Sequence, residues 1–426
     1  MVKRLRLKSG MELAFKDFPR DESCSVGVWI KRGARSEPMR IKGAAHFLEH
    51  LLFKGTKKYS HKDITRDIEG RGGQLNGFTS QEVTCYFAKV LRKNLGKALD
   101  VLSDMVAFPL LKQEDINKER GVVLEEIKMY RDMPSSRVSS ILDALLWGSH
   151  PLGIDVIGFK DTVSKITDRD MRSFQMSSYK PSDIAIVICG RDIGFEIYEE
   201  AVKKFSPQRY RKGESLPEFS FPKVSPRFKF SQEITSFEQT HLSLGFKGLK
   251  VSDKDRFILD LINVILGGNM SSRLFESIRE KLGLAYEIST SVKKFTDTGA
   301  FIVHCGLESG NLLLALEIIA KELVRMKKFN VGGKELSRAK DYCLGGLAMS
   351  FENNLNTMSY IGESLCKTGR VLTFKELERR ISGVTVSEIK SLAGKVFCLD
   401  RAKSALVTNE NRDFKPEFEK IIRKYA

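Results

Sequence analysis

Residues 43–53 read Gly43-Ala44-Ala45-His46-Phe47-Leu48-Glu49-His50-Leu51-Leu52-Phe53. Apart from His46, Glu49 and His50 the stretch is apolar, the composition of a buried helix. Positions i and i+4 of a helix lie on one face, so both imidazoles can reach a single metal ion. Glu49, one residue before the second histidine and on the same face, can touch a water beside the ion without being a ligand. An unpartnered His/Glu stripe on a buried helix would be costly, and a bound cation removes that cost. A pattern this short also arises by chance in core helices, so the rest of the chain must decide.

A third ligand is available further on, in Glu119-Arg120-Gly121-Val122-Val123-Leu124-Glu125-Glu126. Adjacent helical residues point about 100° apart, so Glu125 and Glu126 cannot both face one metal. Glu119 and Glu126 are two turns apart and share a face. Two histidines and one carboxylate leave a fourth position for water, the open arrangement of catalytic rather than structural zinc.

His-x-x-Glu-His is the inverted zinc-peptidase motif, and its neighbourhood resembles the pitrilysin/insulinase family, in particular its half-length, mitochondrial-processing-peptidase-like branch. Ser25-Val26-Gly27-Val28-Trp29-Ile30-Lys31-Arg32-Gly33-Ala34-Arg35-Ser36-Glu37-Pro38 precedes the motif and Leu52-Phe53-Lys54-Gly55-Thr56 follows it. Leu75 through Tyr86 looks like the family's active-site edge strand, and Arg279-Glu280-Lys281-Leu282-Gly283-Leu284-Ala285-Tyr286 carries its substrate-polarising pair. The likeness covers nearly the whole chain. It implies His46, His50 and Glu126 as ligands of one zinc ion per chain, with Glu119 supporting them from behind. It further implies Glu49 as general base, Arg279 and Tyr286 as the groups that polarise the scissile carbonyl, and Asn76, Gly77 and Phe78 as the start of a strand that pairs with an extended substrate. The activity so implied is zinc-dependent endopeptidase cleavage of unfolded peptides or presequence-like segments. The partner so implied is a second chain, as a homodimer or with a homologous subunit. Gly267-Gly268-Asn269 is a short turn rather than the long glycine-rich loop of the family's non-catalytic partner, so the chain reads as the catalytic type. The rival reading is a non-catalytic structural core subunit of a larger complex; the intact His46, Glu49, His50 and Glu126 set speaks against it.

Bulk properties bound the remaining classes. A chain of 426 residues exceeds one hydrophobic core. With 42% hydrophobic and 29% charged residues it has the composition of a globular protein, and no run of about 18 apolar residues suggests a membrane span. The net charge of +17 raises nucleic acid as a partner, but the lysines are interspersed with acids and no nucleic-acid motif is visible, so none is expected. Met1 to Lys8 is basic without an apolar core, which is not a secretory signal. The expected location is cytoplasmic, or the mitochondrial matrix if a transit peptide has been removed. Seven scattered cysteines without C-x-x-C pairs read as reduced thiols. His61, His150, His241 and His304 lack partners at metal-ligand spacing and read as surface or core histidines.

The chain also reads as a diverged tandem repeat. Ile68 to Ser80 parallels Ile278 to Thr290, and Leu95 to Leu99 parallels Leu312 to Leu316. At the repeat positions of the motif the second copy has Arg256, Leu259 and Asp260, and at that of Glu126 it has Gly346, so only the first copy is expected to bind zinc. The expected fold is α+β: two homologous domains, each a mainly antiparallel sheet with helices on one face, in a processing-peptidase-like metallohydrolase fold. The expected division is 1–212, carrying the metal, and 213–426, carrying Arg279 and Tyr286, with the boundary in Ser206 to Pro222. Strands are expected at Ser25–Arg32, Val83–Val90, Asp183–Gly190, Thr240–Phe246, Phe301–Leu307 and Lys403–Val407, and a first strand over Leu5 to Phe18. Helices are expected at Leu95–Ala107 and Leu312–Met326.

Overall fold

The strands β1 (Lys3–Arg6), β2 (Glu12–Asp17), β3 (Ser23–Ile30), β4 (Gln74–Thr79), β5 (Thr84–Leu91) and β6 (Ile184–Gly190) form one sheet, in the order β1-β2-β6-β3-β5-β4. β7 (Lys229–Ile234), β8 (Thr240–Lys247), β9 (Ala285–Lys294), β10 (Gly299–Leu307) and β11 (Lys403–Thr408) form a second, in the order β7-β11-β8-β10-β9. All neighbours are antiparallel except β2–β6 and β7–β11, which are parallel. The computed structural model describes residues 2–205 and 225–426, so the expected boundary at Ser206 to Pro222 lies outside the described residues. The fold is α+β with two sheet-and-helix units, as the sequence suggested.

The first strand departs from expectation. Leu5 to Phe18 is a hairpin of β1 and β2, because Gly10 takes φ 86° and Leu7 closes the turn with Met11, its N–H donating to the Met11 carbonyl at 2.9 Å. A positive φ suits glycine. Alternation alone cannot show such a turn, since both arms keep the same period.

β6 is buried at every residue, the pattern of a strand covered on both faces. One face packs Val26, Val28 and Tyr86 against Phe47, Leu48 and Leu51 of the helix Ala44–Leu52 and against Leu99 and Leu102 of Leu95–Ala107. The opposite face is covered too. Trp29, Cys85 and Val187 pack on Met358, Ile361 and Leu365 of the helix Asn354–Thr368. There the approach is close: a Cβ on Gly362 would lie 2.0 Å from the Trp29 indole. In the second sheet, Ala300, Ile302, Ala405 and Val407 pack on Val138, Leu142 and Leu146 of the helix Pro134–Trp147.

Each compact unit is therefore discontinuous in sequence. One takes residues 2–128, 155–205 and 349–371; the other takes 129–154, 225–348 and 372–426. Two segments depart from a contiguous division at 212/213, because one helix packed on each sheet comes from the other half of the sequence. Among the described residues no helix is long and apolar enough to cross a membrane.

Candidate metal centre

The helix Ala44–Leu52 buries Ala44, Ala45, Phe47, Leu48, Leu51 and Leu52, leaving His46, Glu49 and His50 as its half-buried stripe. Its N-terminus is fixed from outside the helix. Gly43 precedes it at φ 98°, where a Cβ would meet the Ile157 carbonyl oxygen at 2.5 Å. The Glu37 carboxylate accepts from the backbone N–H of Gly43 at 2.9 Å and of Ala45 at 2.6 Å, meeting donors that a helix start leaves unpaired. Glu37 is fully buried, and Lys42, also buried, lies 3.9 Å away while donating to the Ala34 carbonyl at 2.8 Å. Burial is the main reason the Glu37 carboxyl is pushed up to about 7; Lys42 and the two backbone donors oppose it.

His46 Nε2 and His50 Nε2 each lie 3.7 Å from Glu126 Oε2. Ligand atoms of these three residues all fall within 4.8 Å of one another, the one such His/Cys/Asp/Glu group among the described residues. Donors at ~2.0–2.2 Å from a tetrahedral zinc lie roughly 3.3–3.5 Å apart, so the trio fits that ion with small adjustment. His50 Nδ1 is 3.2 Å from Glu119 Oε2, whose other oxygen takes Lys54 Nζ at 2.7 Å. A carboxylate at Nδ1 fixes the tautomer that presents Nε2 as a lone pair. Burial, with His50 beside it, pulls the His46 imidazolium down to about 4, so that ring is neutral, as a ligand must be. Glu125 is exposed, turned away from the trio.

Glu49 is held from the side by β4. Thr79 Oγ1 donates to Glu49 Oε2 at 2.5 Å. Burial pushes the Glu49 carboxyl up, Thr79 and His50 pull it down, and Glu126 pushes it up again. Gly77 leaves the space this needs, since a Cβ there would sit 3.2 Å from Glu49 Cγ. Among the described residues β4 is the terminal strand of its sheet and pairs only with β5. The Asn76 side chain caps the Gly77 N–H at 2.8 Å, and the Phe78 ring meets Trp29 edge-on at 5.5 Å. Thus Gly77 and Thr79 face Glu49, while Phe78 turns to the other face of the sheet.

Arg279 and Tyr286 belong to the second unit. Arg279 sits on Phe275–Glu280, a single turn of π-helix, a feature frequent at functional sites. Its guanidinium lies over the Tyr286 ring at 5.7 Å and the Phe275 ring at 4.9 Å. Tyr286 is 75% exposed, so it is not a core residue. Gly346 occupies the helix Gly333–Glu352, and Asp260 is paired with Lys294 at 2.5 Å. All seven cysteines are free thiols.

Sequence reasoning missed Glu37, Lys42 and Thr79. Glu37 and Lys42 were visible only as charges beside an apolar run. Thr79 was visible only as one more hydroxyl in the substrate strand, next after Phe78; neither signal is specific.

The fold and this trio define a metallopeptidase-type scaffold. The sequence matches the family described as Insulinase (Peptidase family M16) over residues 13–159 and the Peptidase M16 inactive domain over residues 165–343. An uncharacterized zinc protease of Bacillus subtilis is 33% identical across 96% of this chain and 99% of its own length. One from Streptomyces coelicolor is 32% identical across 93% of this chain and 87% of its own. Among solved structures, a protease from Helicobacter pylori superposes with TM-score 0.88 at 22% identity, covering 96% of this chain and 99% of that one. A chain from complex III2 of Candida albicans superposes at 0.81 and 15% identity, covering 98% and 99%. The protein belongs to the insulinase family, peptidase family M16.

Proposed function

We propose that the chain is a zinc metalloendopeptidase acting on extended peptides. The observation that carries the reading is the convergence of His46, His50 and Glu126 beside a half-buried Glu49. The curated relatives named zinc proteases support it. His46 Nε2, His50 Nε2 and Glu126 Oε2 would hold the ion, one per chain. Bound there, zinc supplies Lewis acidity, polarising a carbonyl and lowering the pKa of a water to about 7.

The chain's own residues do the rest. Glu49 takes a proton from the attacking water and passes it to the leaving amine. With Oε2 engaged by Thr79, Oε1 is the oxygen that moves the proton. The outer edge of β4 at Asn76, Gly77 and Phe78 offers backbone groups to an extended substrate, the Gly77 N–H exchanging its Asn76 Oδ1 partner for a substrate carbonyl, which orients the scissile bond. Arg279 and Tyr286, exposed and adjacent, donate to the developing oxyanion. In this reading they act on the site of a second subunit, in a homodimer or with a homologous chain.

The likeness in fold to a complex III2 chain keeps a structural-subunit reading in view. A peptide library digested by the purified chain, read by mass spectrometry, separates the two. Cleavage abolished by a zinc chelator and restored by zinc supports the peptidase; an intact library with zinc-loaded protein supports the structural subunit.

A further inference from the structure

We propose that the second unit carries a divalent-cation site of its own, formed by His241 and His304 with Glu287 at its open side, and suited to a first-row ion of borderline softness such as zinc or cobalt. The proposal does not depend on the reading of the first site. Register brings these residues together. β10 pairs Gly306 with His241 of β8 and with Glu287 of β9, and pairs His304 with Ser243. Alternation then sets His241, Ser243, His304 and Glu287 on one face, opposite Leu242, Leu244, Val303 and Cys305.

The distances suit an ion. His241 Nδ1 lies 3.4 Å from His304 Nε2, and two imidazole nitrogens on one tetrahedral ion, each ~2.0–2.1 Å from it, lie roughly 3.3–3.4 Å apart. Glu287 Oε2 is 3.8 Å from the same His304 Nε2 but does not come within 4.8 Å of both imidazoles as the first trio's ligand atoms do, so this exposed carboxylate has to turn inward to close the site. Ser243 Oγ, 3.0 Å from His304 Nδ1, is placed to accept its N–H and leave Nε2 as a lone pair, the usual support of a ligating histidine. Gly306 keeps the cradle open, since a Cβ there would stand 3.1 Å from His241 Cε1 and 3.7 Å from Glu287 Cβ. His241 is buried, the His304 side chain is 15% exposed and Glu287 is 53% exposed, so the pair opens to solvent past a carboxylate. Burial lowers both imidazolium pKa values, that of His241 to about 4, so both rings are neutral at pH 7. The rival use of the contact is a plain ring-to-ring hydrogen bond.

The test is titration of the metal-stripped full chain with Co²⁺, in a His46→Ala, His50→Ala background that removes the first site, followed by the visible absorption of the bound ion. One equivalent should bind. His304→Gln should abolish it, and Gly306→Ala should weaken it at least tenfold with the far-UV circular dichroism unchanged. His304→Gln in the otherwise wild-type chain should leave the first site's metal in place. Absence of binding, or binding indifferent to His304→Gln or to Gly306→Ala, overturns the proposal and leaves the hydrogen-bonded pair.

Discussion

His46, Glu49 and His50 occupy the stripe of the helix Ala44–Leu52 that is not packed into the core, and Glu126 closes the trio from another helix. His50→Ala should therefore lose the zinc that survives dialysis, and Glu126→Gln should weaken zinc far more than Glu125→Gln. Elemental analysis of the dialysed variants checks both; equal effects of the two glutamine variants would mean that Glu126 is not the third ligand. The histidines and Glu49 were legible because i and i+4 spacing is local and survives any fold. Thr79 was not, because its contact with Glu49 exists only once β4 lies beside the helix. His241 and His304 were read as isolated for the same reason: ligands on neighbouring strands carry no spacing signature until register is known.

Elements set the precision of these residues. Glu37 anchors the start of the motif helix and balances buried Lys42. Removing one partner of a buried pair typically costs about 3–5 kcal/mol, so Glu37→Ala should lower the unfolding free energy from urea titration by about that much and weaken zinc as well. A Glu37→Ala chain as stable as wild type would remove that anchor from the account. The His241–His304 pair should make the fold acid-sensitive. Burial is the main cause of the depressed pKa of His241, with His304 adding to it and Glu287 opposing. Across this window the folded state binds fewer protons than the unfolded chain, so stability is present above about 6.5 and is lost as pH falls through about 4. In metal-free buffer, His241→Asn should flatten that dependence of the melting temperature between pH 7 and pH 4.5; an unchanged slope would assign it elsewhere. At this scale the helices Leu95–Ala107 and Leu312–Lys328 and the central strands were legible from period and length. The split of Leu5 to Phe18 into a hairpin was not, because a turn glycine leaves the alternation undisturbed.

At the scale of the molecule, the tandem repeat correctly indicated two like sheets. It could not reveal that each is covered by a helix from the other half of the sequence, since an amphipathic helix does not encode which sheet it meets. Gly362→Ala tests that assignment. Its Cβ would collide with Trp29, and overpacking typically costs about 1–3 kcal/mol; a neutral effect on the urea midpoint would mean the helix Asn354–Thr368 packs elsewhere. If Arg279 and Tyr286 serve the site of a second subunit, Glu49→Gln and Tyr286→Phe chains, each poor alone, should regain activity when subunits exchange, because half of the mixed sites are then whole. Exchange without recovery would confine the two residue sets to one chain or remove Tyr286 from catalysis. Whether Glu49, beside a zinc held by His46, His50 and Glu126, drives peptide hydrolysis is decided by comparing zinc content and peptide cleavage of wild type and Glu49→Gln. The expected result is equal zinc and equal stability with cleavage reduced on the order of 10²–10⁴-fold or more, the usual weight of a general base. Near-wild-type cleavage by zinc-loaded Glu49→Gln would contradict it.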